Sequence, residues 1–126
     1  MSHEPTFPRT AEPNVDAAVV SDPDRTAAVV DTAADPECRQ LLAAAGDEPR
    51  SVRELGEAAG VPLSTAYRKL GRLAAAGLLQ EGTRVVSTGR PPTVYTRVAR
   101  AASVRVFADG QIEAVLFSQP DDAGSD

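Results

Sequence analysis

The sequence predicts an α+β fold in which about four helices precede a two-stranded wing and a C-terminal β-hairpin. Three observations predict it. From residue 21 to about 76, apolar residues recur at helical spacing, each run opened by a capping residue or a proline. Two of these runs are joined by the tight turn AGVP, which gives helix, short glycine turn, helix. After Gly77 the pattern changes to β-rich segments separated by STGRPP and Asp109-Gly110.

The elements follow in order. Residues 1–20 hold three prolines, scattered charge and no sustained periodicity, and are read as a disordered tail. AAVV occurs at 17–20 and again at 27–30, too close for a repeat architecture and read as a chance echo. In SDPDRTAAVVDTAA, Ser21 or Asp22 caps and Pro23 fits the first turn of a short helix to about Ala34.

A second helix begins at DPECRQLLAAAG. Asp35 caps it, Pro36 sits at its first position and Gly46 ends it, with Cys38, Leu41, Leu42 and Ala45 as its apolar stripe. Cys38 on that stripe is read as a small core residue. Ser51 and Glu54 form the capping box of a third helix, whose buried side is Val52, Leu55, Ala58 and Ala59.

The fourth helix runs from about Leu63 to Ala76. Leu78–Ser87 and Thr93–Val98 read as the strands of the wing. SVRVFA and QIEAVLF flank Asp109-Gly110, a favoured two-residue hairpin turn. That turn puts Val104, Val106, Val115 and Phe117 on one face, and Phe107, Ile112, Ala114 and Leu116 on the other. The domain divides as 21–100, a hairpin over 101–118 that is a candidate dimerisation element, and an acidic, disordered tail over 119–126.

Composition limits the function. No apolar run approaches the roughly 18 residues of a membrane span, and the polar N-terminus lacks a signal-peptide core, so a cytoplasmic protein is expected. Cys38 and the lone His3 make neither a disulfide nor a metal cluster. With no usable histidine, phosphate-cradling glycine loop or distinctive carboxylate pair, no enzyme and no cofactor are expected. The chain carries eighteen carboxylates against twelve arginines and one lysine, an acidic excess that fits a multimolar-salt cytoplasm or a GC-rich genome.

The charge is segregated. Residues 1–61 carry five basic and twelve acidic side chains, residues 62–100 seven basic and one acidic, and residues 101–126 one basic and five acidic. A basic block within an acidic chain marks a binding surface.

On a helical wheel, Ala66, Leu70, Leu73 and Gly77 of VPLSTAYRKLGRLAAAGLL cluster on one side, with Leu63 at their edge. Ser64, Arg68, Gly71, Arg72 and Ala75 fall on the other, with Thr65 and Tyr67 on the flanks. The major groove admits one such helix, arginine forks match the acceptor pair of guanine, and hydroxyls bond base edges or phosphates. Positive charge continues as Arg84, Arg90, Arg97 and Arg100, with Arg90 at a proline-stiffened tip suited to phosphates or the minor groove.

The stretch from Thr32 to Gly82, above all DPECRQLL, SVRELGEAAGVPLSTAYRKL and LAAAGLL, resembles the winged helix-turn-helix of ArsR-type prokaryotic transcriptional regulators. It is most similar to versions from salt-loving archaea, and the likeness covers roughly residues 33 to 99. The resemblance implies double-stranded DNA as partner, Ser64, Thr65, Tyr67, Arg68 and Arg72 at recognition-helix positions and Arg90 at the wing tip. Lys69, Arg84 and Arg97 join them as members of the basic block. Two departures stand out: Pro62 replaces the usual hydroxyl cap, and the cysteine and histidine clusters of metal-sensing members are missing.

The expected protein is thus a sequence-specific DNA-binding transcription regulator, acting as a homodimer because one helix reads only a few base pairs. The rival is a winged-helix adaptor that binds protein instead, which would have no need of the basic stripe. RNA binding is disfavoured by the lack of aromatic stacking platforms.

Overall fold

A computed structural model describes residues 16–118. The order is β1 (Asp16–Val20), α1 (Pro23–Ala34), α2 (Pro36–Ala44), β2 (Arg50–Ser51), α3 (Val52–Ala59), α4 (Leu63–Ala75), β3 (Leu79–Thr83), β4 (Thr93–Arg97), β5 (Ala101–Val106) and β6 (Ile112–Ser118). Two antiparallel three-stranded sheets result, ordered β2-β4-β3 and β1-β6-β5.

Local chemistry sets the helix starts. Asp22 accepts from the Asp24 amide at 3.2 Å, and Asp35 Oδ1 from the Glu37 amide at 2.9 Å. In α3 the capping box is reciprocal: the Glu54 amide donates to Ser51 Oγ at 3.1 Å, and the Ser51 amide to Glu54 Oε1 at 2.8 Å. Gly60 then takes the left-handed conformation (φ 72°), which lets the chain reverse within the short link to α4.

Arginines close three of the helices. Arg25 Nε donates to the Ala76 carbonyl just past α4 at 3.2 Å, and Arg39 Nη1 to Ala33 of α1 at 2.8 Å. Arg97 Nη2 donates to the Ala45 carbonyl after α2 at 2.6 Å. Each cation meets the negative end of a helix dipole and satisfies carbonyls that the helix leaves unbonded.

The core gathers Val29, Cys38, Leu41, Leu55, Ala66, Leu70 and Leu73, all essentially inaccessible. The sheet β1-β6-β5 adds Val20, Ala114 and Leu116 to it. Thr26 Oγ1, buried where α1 meets β1, donates to the carbonyls of Val20 and Asp22.

Four expectations are corrected. Residues 16–20, assigned to a disordered tail, form β1, which pairs with β6 from Asp16↔Ser118 to Val20↔Ala114. The two AAVV copies therefore take different structures, one a strand and one within α1, because pairing with a distant strand decides the first. The remaining tail residues, 1–15 and 119–126, lie outside the described residues.

The second and third corrections concern strands. β3 ends at Thr83 instead of reaching Ser87, although the Arg84 amide still bonds the Pro92 carbonyl at 3.1 Å. Beyond it, Pro91 and Pro92 have no amide to extend the ladder. Arg50–Ser51, read as loop and cap, also pairs briefly with β4.

The fourth correction concerns the C-terminal hairpin, whose faces are regrouped. Phe107 and Gln111 are joined by a 2.8 Å bond and Gly110 bonds back to Phe107, so the turn spans Ala108-Asp109-Gly110. One residue more than the expected turn exchanges the faces of one strand relative to the other. Val104 now opposes Ala114 and Val106 opposes Ile112, so Val104, Val106, Ile112, Ala114 and Leu116 share one face, of which only Ala114 and Leu116 are buried in the core. Val115 and Phe117 point the other way.

Candidate nucleic-acid interface

Helix α4 is anchored by Ala66, Leu70 and Leu73, all buried. That fixes its opposite side outward: Ser64, Tyr67, Arg68, Gly71 and Ala75 are exposed, and Thr65 is half-buried. At about 1.5 Å per residue the helix is roughly 20 Å long, sufficient to lie along a major groove. Its N-cap, Pro62, provides no side-chain hydrogen bond. Ala66 bonds back to Pro62, so the amides of Leu63, Ser64 and Thr65 form the open positive end of the helix.

The basic block separates into two groups. Lys69 Nζ lies 2.5 Å from Asp35 Oδ2 and 3.0 Å from Glu37 Oε1, with 12% of its side chain exposed. Arg72 Nη2 reaches Asp31 of α1 at 3.5 Å. Arg84 Nη2 donates to Glu54 Oε1 at 3.0 Å and to the Pro49 carbonyl at 3.1 Å, tying the wing base to α3. Arg97 closes α2 through the carbonyls already described. By contrast, Arg68 and Arg90 are exposed and make no ion pair with any described residue.

Lys69 and Arg97, expected at the DNA surface, are therefore turned into the fold. Summed charge does not distinguish a cation held by a neighbouring carboxylate from one aimed at solvent. The hydrogen bond from Lys69 holds the Asp35 carboxyl down at about 2, and the bond from Arg84 does the same for Glu54, also about 2. The Lys69 ammonium is pushed up in return, chiefly by its bond to Asp35.

Two cations escaped the sequence reading. Arg50 on β2 and Arg53 on α3 are exposed, and Arg53 lines a shallow recess with Pro62 and Leu63 beside the start of α4. Both belong to the strongly acidic first 61 residues, where a segment sum hides them. The sequence signal for Arg53 was its place on the outer side of α3, two residues after the Ser51 cap.

The arrangement is two helices joined by a glycine turn, with α4 facing outward and a β3–β4 ribbon carrying an arginine at its tip. A helix-turn-helix domain family model matches residues 33–81. The chain contains a winged helix-turn-helix. Among solved structures, that of NolR from Sinorhizobium fredii is similar, with a TM-score of 0.48 and 19% identity over 78% of this chain and 84% of that one. No curated protein gives a significant match.

The winged helix-turn-helix surface is built from arginine, hydroxyl and backbone groups. Among the described residues no group of three metal-capable side chains comes together, and no helix is long and apolar enough to cross a membrane. Cys38 is buried, and its thiol is pushed up by that burial.

Proposed function

We propose that this protein is a non-enzymatic, sequence-specific regulator of transcription that binds double-stranded DNA. Helix α4 enters the major groove and the β3–β4 wing lies on the flanking backbone or minor groove. The observation that carries this reading is the outward face of α4. There Ser64, Tyr67 and Arg68 are exposed together while every large apolar residue but Leu63 is turned inward.

Arg68, at the middle of the outward face of α4, suits a guanine edge. Arg90 takes the flank. Arg72 and Arg84, 39% exposed each, serve as secondary phosphate contacts that also hold the domain together. The reading includes the resemblance to ArsR-type regulators of salt-loving archaea and a cytoplasmic location.

The protein acts as a homodimer. Val19 (60% exposed) leaves apolar surface on one face of the sheet β1-β6-β5, and Val106 (73%) and Ile112 on the other. Strand β5 is exposed along its length at the sheet edge, so either face offers a surface to a second copy. A second copy covering that surface would place two recognition helices on one DNA site.

Gel-shift titration against fragmented genomic DNA tests the reading. Retention of a subset of fragments, in competition with bulk DNA, is expected. Equal retention of all fragments, or of none, contradicts sequence-specific binding.

A further inference from the structure

A cavity of about 400 Å³ opens between α1, α2, the end of α4 and the segment joining β4 to β5. Its walls include Val29, Thr32, Cys38, Leu42, Leu73 and Leu78. That volume falls in the range of roughly 300–1,000 Å³ typical of small-molecule sites, which combine apolar walls with a few polar groups.

The charged lining has one sign. Among the described residues, Arg39, Arg97 and Arg100 are its only ionised side chains, in a chain where carboxylates outnumber basic groups. Arg39 and Arg97 are fixed by the helix-terminal carbonyls of Ala33 and Ala45. Arg100 is exposed, and among the described residues only its backbone is engaged, the amide donating to Phe117 at 2.7 Å. Its guanidinium is left to present a planar fork suited to a carboxylate.

We infer that this cavity is a binding site for a small apolar monocarboxylate. The hydrocarbon body rests against Leu42, Ala43 and Ala102, above the buried Leu73 and Leu78, and the carboxylate meets Arg100. An apolar cation is repelled by the three arginines, and a neutral molecule forgoes the charge-assisted hydrogen bond to Arg100, which stays hydrated. Leu73 of α4 lies buried beneath the cavity floor, so an occupant sits behind the helix that presents Arg68 outward. The inference is independent of DNA binding and is tested without DNA.

Calorimetric titration of the full chain with octanoate, and separately with octylamine and octanol, provides the test at fixed chloride. Saturable one-to-one uptake of octanoate is expected, with octylamine giving no uptake and octanol at least tenfold weaker. Arg100→Gln should weaken octanoate at least tenfold, as expected for loss of a charged hydrogen bond. Ala43→Leu, on the exposed rim, should abolish uptake while the far-ultraviolet spectrum stays native. If that spectrum is lost, Ala102→Leu from β5 takes its place. No octanoate uptake, equal uptake of octylamine, or Arg100→Gln binding as wild type would overturn the assignment. So would uptake that survives the cavity-filling variant, or a cavity-filling variant that becomes monomeric when wild type is a dimer and takes up no octanoate, since a second copy would then be the occupant.

Discussion

Lys69 Nζ sits 2.5 Å from Asp35 Oδ2, so the chain's single lysine joins α4 to the residue that caps α2. Asp35 thereby has two roles, with Oδ1 on the α2 amides and Oδ2 on Lys69. Glu54 is similarly placed between the α3 cap and Arg84 of the wing. Both the helix and the wing are thus positioned by carboxylates that also start neighbouring helices.

Acid unfolding should report these two carboxylates. Each is held at about 2, below ordinary values of 3.8 for Asp35 and 4.5 for Glu54. A depressed carboxylate contributes fully above its unfolded value and loses that contribution as pH falls towards the folded one. Stability should therefore fall between about pH 4.5 and 2. In Lys69→Met, the part of this loss due to Asp35 should shrink, and the neutral-pH melting temperature should drop. An acid-unfolding profile and midpoint identical to wild type would remove the pair from the account.

Gly77→Ala should destabilise the fold. Gly77 has φ +87°, and a Cβ there would meet Arg25 Nη2 at 2.1 Å, displacing the guanidinium that closes α4. The left-handed backbone alone costs roughly 1–2 kcal/mol for a residue with a side chain. That corresponds to a fall in melting temperature of about 4–9 °C for a domain of this size. A midpoint unchanged within error contradicts it.

Gly71→Ala should act in opposite directions on folding and on DNA. Gly71 lies inside α4 on its outward face, with nothing within 4 Å of an added Cβ. Alanine should stabilise the helix by about 0.5–1 kcal/mol. A glycine held at that cost on the proposed groove-facing side fits close approach of DNA, so the added methyl should weaken binding. Stabilisation without loss of affinity would mean the DNA does not approach there.

The proposed dimer surface is tested at exposed positions. Leu116 is 6% exposed and packs in the core, so a charge there would unfold the domain rather than report on assembly. Val19→Glu and Val106→Glu, which lie on opposite faces of the sheet, should each remain folded, and at least one should halve the mass seen by light scattering. A full-size dimer in both variants excludes this sheet.

Much of the fold is legible because its signals are local. Asp35-Pro36, the Ser51–Glu54 box and Gly60 each act within a few residues, and each forms the cap or turn its chemistry implies. What was not legible depends on distant partners. The strand at 16–20 requires β6, nearly a hundred residues on, and the hairpin faces turn on one extra residue in the loop. At the interface, wheel geometry gave the outward set of Ser64, Arg68 and Gly71, since apolar burial alone fixes the rotation of α4. It gave no warning that Lys69 and Arg97 would be held by α2, because their partners come from other elements.

The most direct measurement of the central claim is the affinity of Arg68→Ala, Arg90→Ala and the double variant for a DNA site selected with wild type, read by fluorescence anisotropy at several salt concentrations. Arg68→Ala should cost about 1–3 kcal/mol and relax the preference at one base position, and Arg90→Ala should weaken all sequences alike and reduce the salt slope by about one. Melting temperatures should stay at the wild-type value, since neither side chain makes an ion pair with the described fold. A folded double variant that binds the selected site with wild-type affinity and salt dependence would contradict the assignment of α4 and the wing as the DNA-reading surface.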